Sequence, residues 1–269
     1  MAQNNPKRNY LGIEQDWERI FKTVRHIDRL NRQGGAKKII QNVRVIRVDA
    51  RVAFERLFKN RTVERIYCLF PCPWPKKNHI KHRLFSTDFL KLVNSRLKKN
   101  GQVLIVTDHQ PYGEWILEQA KQTGFSVKAD RVQPQFNTKY ERKWREGGQE
   151  EFYEICLYKQ SHLPVPIKKD VQVQSFKIQN FDPQHFHLKN LTGDVAVIFK
   201  DMLYDDRRKR ALIYVIVSEG HLIQHFRVAV IYKRKHWVIC KAEGQQILPT
   251  PGIARALDWV YEAALQSCP

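Results

Sequence analysis

Four times between residues 9 and 123, a short apolar run suited to a β-strand is followed by a run with helical spacing. Residues 9–14 (NYLGIE) read as a strand ending in a carboxylate. From Asp16 onward Trp17, Ile20, Phe21, Val24, Ile27 and Leu30 recur at spacings of three and four, which predicts an amphipathic helix ending near Gly34 and Gly35. Residues 43–50 (VRVIRVDA) alternate like a strand that closes at Asp49, and a short helix through Phe54, Leu57 and Phe58 follows. Residues 65–70 (RIYCLF) are continuously apolar, as a strand buried on both faces would be. A helix over 88–97 carries Phe89, Leu90, Leu92, Val93 and Leu97 and stops at Asn100 and Gly101. Residues 102–108 (QVLIVTD) are a fourth strand, followed by a helix from about 112 to 123. Residues 138–147 then look helical and 151–158 strand-like. This rhythm predicts a mostly parallel sheet with helices on both faces, whose ligands sit beyond the carboxyl ends of the strands. Glu14, Asp49, the segment after Phe70 and Asp108 all fall at those ends and should face one cleft.

The pattern changes after residue 160. Residues 161–170 (SHLPVPIKKD) read as a linker, separating a domain at 1–160 from one at 171–269. In the latter, strand-like runs at 171–178, 194–200, 211–217, 226–233 and 237–242 come without helices between them. Pro251 then opens a single helix through Ala254, Leu257, Val260, Tyr261 and Leu265. The expected second domain is a small α+β unit with an antiparallel sheet.

Composition narrows the function. No run approaches the roughly 18 apolar residues of a spanning helix, and mean hydropathy is −0.54, so a cytoplasmic protein without a membrane partner is expected. Five scattered cysteines with no CxxC pair argue against a disulfide framework and against a structural zinc site, and no metal is expected. The 269 residues hold 47 Lys and Arg against 27 Asp and Glu, a net charge of +20. Of these, 32 basic and 17 acidic residues lie before residue 161, so the excess belongs mostly to the first domain. A polyanion, RNA or DNA, is the natural partner for such a surface, although a merely soluble basic protein remains open on charge alone.

The most specific stretch is 69–84, LFPCPWPKKNHIKHRL. Pro71, Pro73 and Pro75 can continue neither a helix nor a central strand, so they stiffen a loop beyond a strand end. Trp74 lies within that loop, and Lys76, Lys77, His79, Lys81, His82 and Arg83 follow it. A rigid aromatic with a basic tail suits a nucleobase whose phosphates are neutralised. The same residues could equally be a loop packed by its own tryptophan with a solvated basic face.

This segment resembles the FPDPWPKKRHHKRRL signature of the bacterial tRNA (guanine-N7)-methyltransferases, which methylate the variable-loop guanine at position 46 from S-adenosylmethionine. NYLGIE, VDAR, TDHQPY and TKYERKWREGG match in order, so the resemblance covers roughly residues 1–158. It implies a Rossmann-like methyltransferase fold, S-adenosylmethionine as cofactor and tRNA as partner. It implies also that Glu14 accepts from the ribose hydroxyls of the cofactor and that Asp49 and Ala50 lie beside its adenine. Lys76, Asp108, Thr138 and Glu141 then contact the target nucleotide, and Lys77, Lys81 and Arg83 the RNA backbone. Taken singly, these residues keep other readings: Glu14 a solvated strand end, Asp108 an N-cap for the helix at Tyr112, Glu141 half of an exposed pair with Arg145.

Two departures from the family pattern stand out. Cys72 occupies the position of the family's Asp in PDPW, a catalytic and cofactor-side position, and a neutral thiol lacks a carboxylate's charge and paired oxygens. The family's first strand and glycine-rich loop should precede NYLGIE, between the strands holding Gly12 and Tyr67. They are expected in a longer form of the chain, the alternative being a remnant with an incomplete cofactor site. The leading expectation is therefore a tRNA guanine-N7 methyltransferase. The rivals are a catalytically silent RNA-binding protein of the same descent and a methyltransferase acting on DNA or a small molecule.

Overall fold

The computed structural model describes residues 1–33, 39–136 and 138–268; the helix stop expected at Gly34 and Gly35 lies outside them. The chain forms two compact units, Met1–Lys168 and Lys169–Pro269.

The first unit runs β1 (Tyr10–Glu14), α1 (Trp17–Gln33), β2 (Val43–Arg47), α2 (Ala50–Arg56), β3 (Val63–Leu69), a 3-10 turn (Lys77–His82), α3 (Thr87–Arg96), β4 (Leu97–Thr107), α4 (Gln110–Gln119), β5 (Phe125–Val132), α5 (Lys139–Glu146) and β6 (Phe152–Lys159). It is α/β, as the alternation predicts. β1 and β2 pair in parallel, from Tyr10 against Val43 to Glu14 against Arg47. A second sheet has the order β3-β4-β6-β5, parallel between β3 and β4 and antiparallel in the other two pairs. Among the described residues β1, with Gly12, and β3, with Tyr67, each have one strand partner and form sheet edges. An ion pair between Arg8 and Glu64 at 3.2 Å joins the segment before β1 to β3.

The core of this unit is built by α3 and α4 against β4 and β6, through Phe89, Leu90, Val93, Ile116, Val103, Ile105, Ile155 and Leu157. α3 starts where the Ser86 hydroxyl accepts from the Phe89 amide. The strand after it begins at Leu97, five residues before the expected start, because Asn100, at φ 61°, lets residues 98–101 bulge out before pairing with β3 resumes at Gln102. β5 has no counterpart among the expected strands. It is an edge strand with Lys128, Asp130 and Arg131 exposed, so burial imposes no alternation on its sequence. On α1 only Ile20 is fully buried, while Trp17, Phe21 and Val24 face outward. Two strands about 5 Å apart offer a strip narrower than a helix about 10 Å across, so the apolar stripe is only partly covered.

The second unit is a five-stranded antiparallel sheet of order β7-β11-β10-β9-β8: β7 (Phe176–Ile178), β8 (Val195–Asp205), β9 (Arg210–Glu219), β10 (Leu222–Lys233) and β11 (His236–Lys241). Helix α6 (Pro251–Gln266) packs on it through Ile253, Leu257 and Val260. The Thr250 hydroxyl caps α6, and Glu219 accepts from the Gly252 amide at 2.9 Å. A Cβ on Gly252 would lie 2.5 Å from Val217 Cγ1, so only glycine allows this approach.

Arg96 is fully buried at the end of α3. Its guanidinium donates to the carbonyls of Phe54 (2.8 Å), Val165 (2.7 Å) and Pro166 (3.1 Å), to Ser95 Oγ (2.6 Å) and to Asn60 Oδ1. Asn94 beside it donates to the carbonyls of Thr123 and Ser161 and accepts from the Leu163 amide. Residues 161–166 are thereby bound to α3. Arg96→Met keeps the bulk but strands several buried carbonyls, and chemical denaturation is expected to show a loss of about 3 kcal/mol. A loss within about 0.5 kcal/mol would mean that water replaces the guanidinium.

Candidate active site

The carboxyl ends of β1 and β2 bring the first two candidate residues together. Glu14 ends β1, and its Oε1 accepts from the amides of Gln15 (2.7 Å) and Asp16 (3.0 Å), while Oε2 faces Arg19 at 3.5 Å. Asp49 caps α2, its Oδ1 accepting from the Arg51 amide at 2.7 Å, with Ala50 as the first helical residue. Gln15 Nε2 donates to Asp49 Oδ2 and so bridges the two strand ends. Glu14 is therefore not merely a solvated strand end: its side chain is 32 % exposed, and that of Asp49 is 17 % exposed.

The proline loop follows β3. Phe70 and Trp74 both precede a proline and both have positive φ, 58° and 43°. A residue before proline is normally extended, and such left-handed positions cost of order 1–3 kcal/mol each, so the surroundings must impose them. The Phe70 amide donates to the Val106 carbonyl at 2.7 Å, and its ring packs on Phe152 and Tyr140. Trp74 packs within the loop against His79 and His82, at 5.7 and 5.1 Å between ring centroids.

Arg83, expected on the RNA backbone, instead points inward and is 6 % exposed. Its Nε donates to the Pro73 carbonyl at 2.8 Å, and its guanidinium stacks over Tyr112 and Trp115. A planar cation buried against two neighbouring aromatic rings is held too deep for a phosphate, so Arg83 is a positioning residue of the loop. Arg51 completes the frame by donating to the carbonyls of His82 (3.0 Å) and Arg83 (2.8 Å), while its other nitrogen lies 3.6 Å from Asp49. Cys72, Lys76, Lys77 and Lys81 remain exposed on the loop.

Asp108 follows β4 and does not cap α4; His109 does, its Nδ1 accepting from the Tyr112 amide at 3.1 Å. No hydrogen bond or ion pair among the described residues uses the Asp108 carboxylate. Asp108 lines a cleft of about 520 Å³ together with Gln110, Arg131, Gln149, Glu151 and Tyr153. Glu14, Asp49, Cys72 and Lys76 do not line that cleft.

Thr138 and Glu141 form a capping box at the start of α5, a T-x-x-E pattern visible in the sequence. Glu141 is 1 % exposed, and its carboxylate accepts from the amides of Gln135, Phe136 and Thr138. This differs from both expectations, a guanine contact and an exposed pair with Arg145: its acceptors are turned onto the backbone. Burial pushes its carboxyl up, but the backbone donors outweigh burial and hold it below the ordinary value. Tyr140, one residue before, was not expected in the site. It packs on Phe70, and it is the main cause raising the Arg19 guanidinium, with Glu14 adding to it against desolvation. The start of α5 is thus linked to the proline loop through the Tyr140–Phe70 contact.

The nucleoside end of S-adenosylmethionine fits the residues present. Glu14 Oε2, with a single long contact, retains acceptor capacity for ribose hydroxyls, and Ala50 presents a small apolar surface beside Asp49.

Parallel strand ends carrying acidic tips, tethered to a loop rich in proline and lysine, define an α/β protein with a candidate nucleoside-binding edge. A family model described as "Putative methyltransferase" matches residues 1–154. The tRNA (guanine-N(7)-)-methyltransferase of Chlorobium phaeobacteroides is 38% identical over 162 residues, 60% of this chain and 76% of that protein. The enzyme of that name from Aquifex aeolicus is 29% identical across 97% of this chain and 88% of its own length, so the likeness extends through the second unit. An antibiotic-related methyltransferase of known structure aligns over 60% of this chain and 79% of its own, at 20% identity and a TM-score of 0.42. The chain belongs to this methyltransferase family, among the tRNA (guanine-N(7)-)-methyltransferases.

The capping box yields a pH test. A carboxyl held below its ordinary value contributes stability that is full above the unfolded value of 4.5 and is lost as pH falls through the folded value. Glu141→Gln should cost about 1 kcal/mol at pH 7, and the gap to the parent should close as pH drops below that value. A gap independent of pH would show that charge plays no part.

Proposed function

We propose that this chain transfers a methyl group from S-adenosylmethionine to N7 of guanine in tRNA, at the variable-loop position 46. The carrying observation is the Glu14–Gln15–Asp49 bridge, tethered through Arg51 to the proline loop: it sets a nucleoside-binding edge beside a rigid basic segment. The cofactor, when bound, supplies an electrophilic methyl on sulfur. Every other task falls to the chain. Glu14 accepts from the ribose hydroxyls, and Asp49 with Ala50 borders the adenine. Lys76, Lys77 and Lys81 meet the phosphates of the substrate.

Guanine N7 carries a lone pair and needs no general base, so positioning supplies most of the acceleration. The ring becomes cationic on transfer, and a carboxylate nearby stabilises it. Asp108 is suited to that role because its oxygens are uncommitted among the described residues, and it can accept from guanine N1–H and the exocyclic amine, a pairing adenine does not offer. Thr138 and Glu141 hold the segment that carries Tyr140. Cys72 stands where a second carboxylate would act, which leaves the site with less negative charge than the family pattern. The catalytic domain is assigned to residues 1–160, joined by 161–170 to an extension at 171–269. No helix among the described residues is long and apolar enough to cross a membrane, and the site of action is assigned to the cytoplasm, where tRNA is processed.

Unmodified tRNA incubated with the chain and methyl-labelled cofactor should acquire label at guanine N7, read by cleavage at the modified base. Asp108→Asn should lower kcat by about 100-fold, and Cys72→Asp should raise it by about tenfold, a gain of roughly 1.4 kcal/mol. Tight tRNA binding with no label in any of these forms would make the chain a silent RNA-binding relative.

A further inference from the structure

The second unit carries two short basic runs, residues 207–210 (RRKR) and 233–235 (KRK), separated by more than twenty residues. Each alone reads as a solvated turn, and the topology makes them one surface. Residues 206–209 turn β8 into β9, and 234–235 turn β10 into β11. Because β9 and β10 pair with Arg210 opposite Ile231, both turns lie at the same end of the sheet. The Tyr232 amide donates to the Lys209 carbonyl at 3.0 Å, fastening one turn to the other. Arg207, Arg208, Lys209, Lys233, Arg234 and Lys235 are all exposed. Asp205 and Asp206 are the acidic residues of these turns, and Asp205 lies 3.8 Å from Arg208, so a strong positive excess remains. Tyr232, 39 % exposed, stands in the middle with Lys209 Nζ 5.5 Å from its ring centre.

The backbone adds a second, independent observation. Lys209 and Arg234 have φ of 44° and 58°, a region that suits glycine. The turn at the opposite end of the sheet, between β9 and β10, meets the same need with Gly220 at φ 59°. At the basic end, long cations occupy strained positions where glycine would be easier to fold, and an observed strain of this kind points to function.

We infer that this basic end of the second unit binds the phosphate backbone of RNA, with Tyr232 offering a ring on which an unstacked base can rest. The inference rests on the reading of tRNA as substrate and extends it to a contact outside the catalytic unit. Binding is through charge and one ring, so it tracks the polyanion rather than its sequence.

The full chain is tested with unmodified tRNA as probe. Replacing Arg207, Arg208, Arg234 and Lys235 by Ser should weaken binding at least tenfold at about 0.1 M salt. The slope of log affinity against log salt should become shallower by about 3, since each of the four lost phosphate contacts removes roughly 0.7 to 0.9. The KM for tRNA should rise with kcat unchanged, whereas Lys177→Ser, Lys189→Ser and Arg255→Ser together, exposed on the same unit, should change neither. The pair Lys209→Gly and Arg234→Gly separates function from folding: it removes charge and strain together, so the melting temperature should hold or rise while the KM for tRNA increases. Unchanged affinity and salt slope in the fourfold variant, with a parent that binds tRNA, overturns the inference. So does a parent that binds phosphatidylserine vesicles through these residues while its tRNA affinity ignores them. A parent that binds tRNA through these residues yet never labels guanine defeats the enzyme reading and leaves this one standing.

Discussion

The stacked guanidinium of Arg83 is the constraint on which the candidate site depends. A chain segment with prolines at 71, 73 and 75 cannot be held by ladder hydrogen bonds, because its imide nitrogens donate nothing. Something else must anchor it. Arg83 supplies one bond to the Pro73 carbonyl and a flat surface against the neighbouring rings of Tyr112 and Trp115 of α4, and Arg51 takes the two carbonyls at the end of the 3-10 turn. The loop is thus nailed to α4 on one side and to the cap of α2 on the other. Its lysines can stay in water because its one arginine, Arg83, does not.

The alternation of strand and helix in the first unit, and the antiparallel run in the second, could be read from residue spacing because those elements bury one face or both. β5 could not, since an exposed edge strand need not alternate. Of the site, Glu14 and Asp49 were legible as acidic tips at strand ends. The inward turn of Arg83 was not, because an arginine within a basic run gives no sign of which member is stacked on aromatics from a helix some thirty residues later. Thr138 and Glu141 show the reverse case. Their T-x-x-E spacing is a helix-start signal, although the expectation for both was a nucleotide contact, and the structure puts both side chains to capping.

The family signature and this chain share the acidic strand ends at Glu14 and Asp49 and differ at Cys72. An exposed thiol at the turn of a strained loop has neither the charge nor the geometry of the carboxylate found there in the family signature. The carboxylate tied to the loop is that of Asp49, through Arg51, and with Cys72 in place of a carboxylate the balance between the basic loop and the acidic strand ends is more positive than the family pattern. That balance suits a polyanion better than it suits a neutral small molecule.

The left-handed backbone at Phe70 and Trp74 has a consequence for how such a chain can adapt. Glycine at either position would relax the main chain, yet it would also remove a ring packed on Phe152 and Tyr140 or on His79 and His82 and let the segment sample many shapes, so that each encounter with a substrate would first have to select the right one. Lineages living at high temperature, where sturdiness is at a premium, gain nothing by easing the backbone here, because the strain and the packing come from the same two residues. They would have to find their extra stability elsewhere in the molecule.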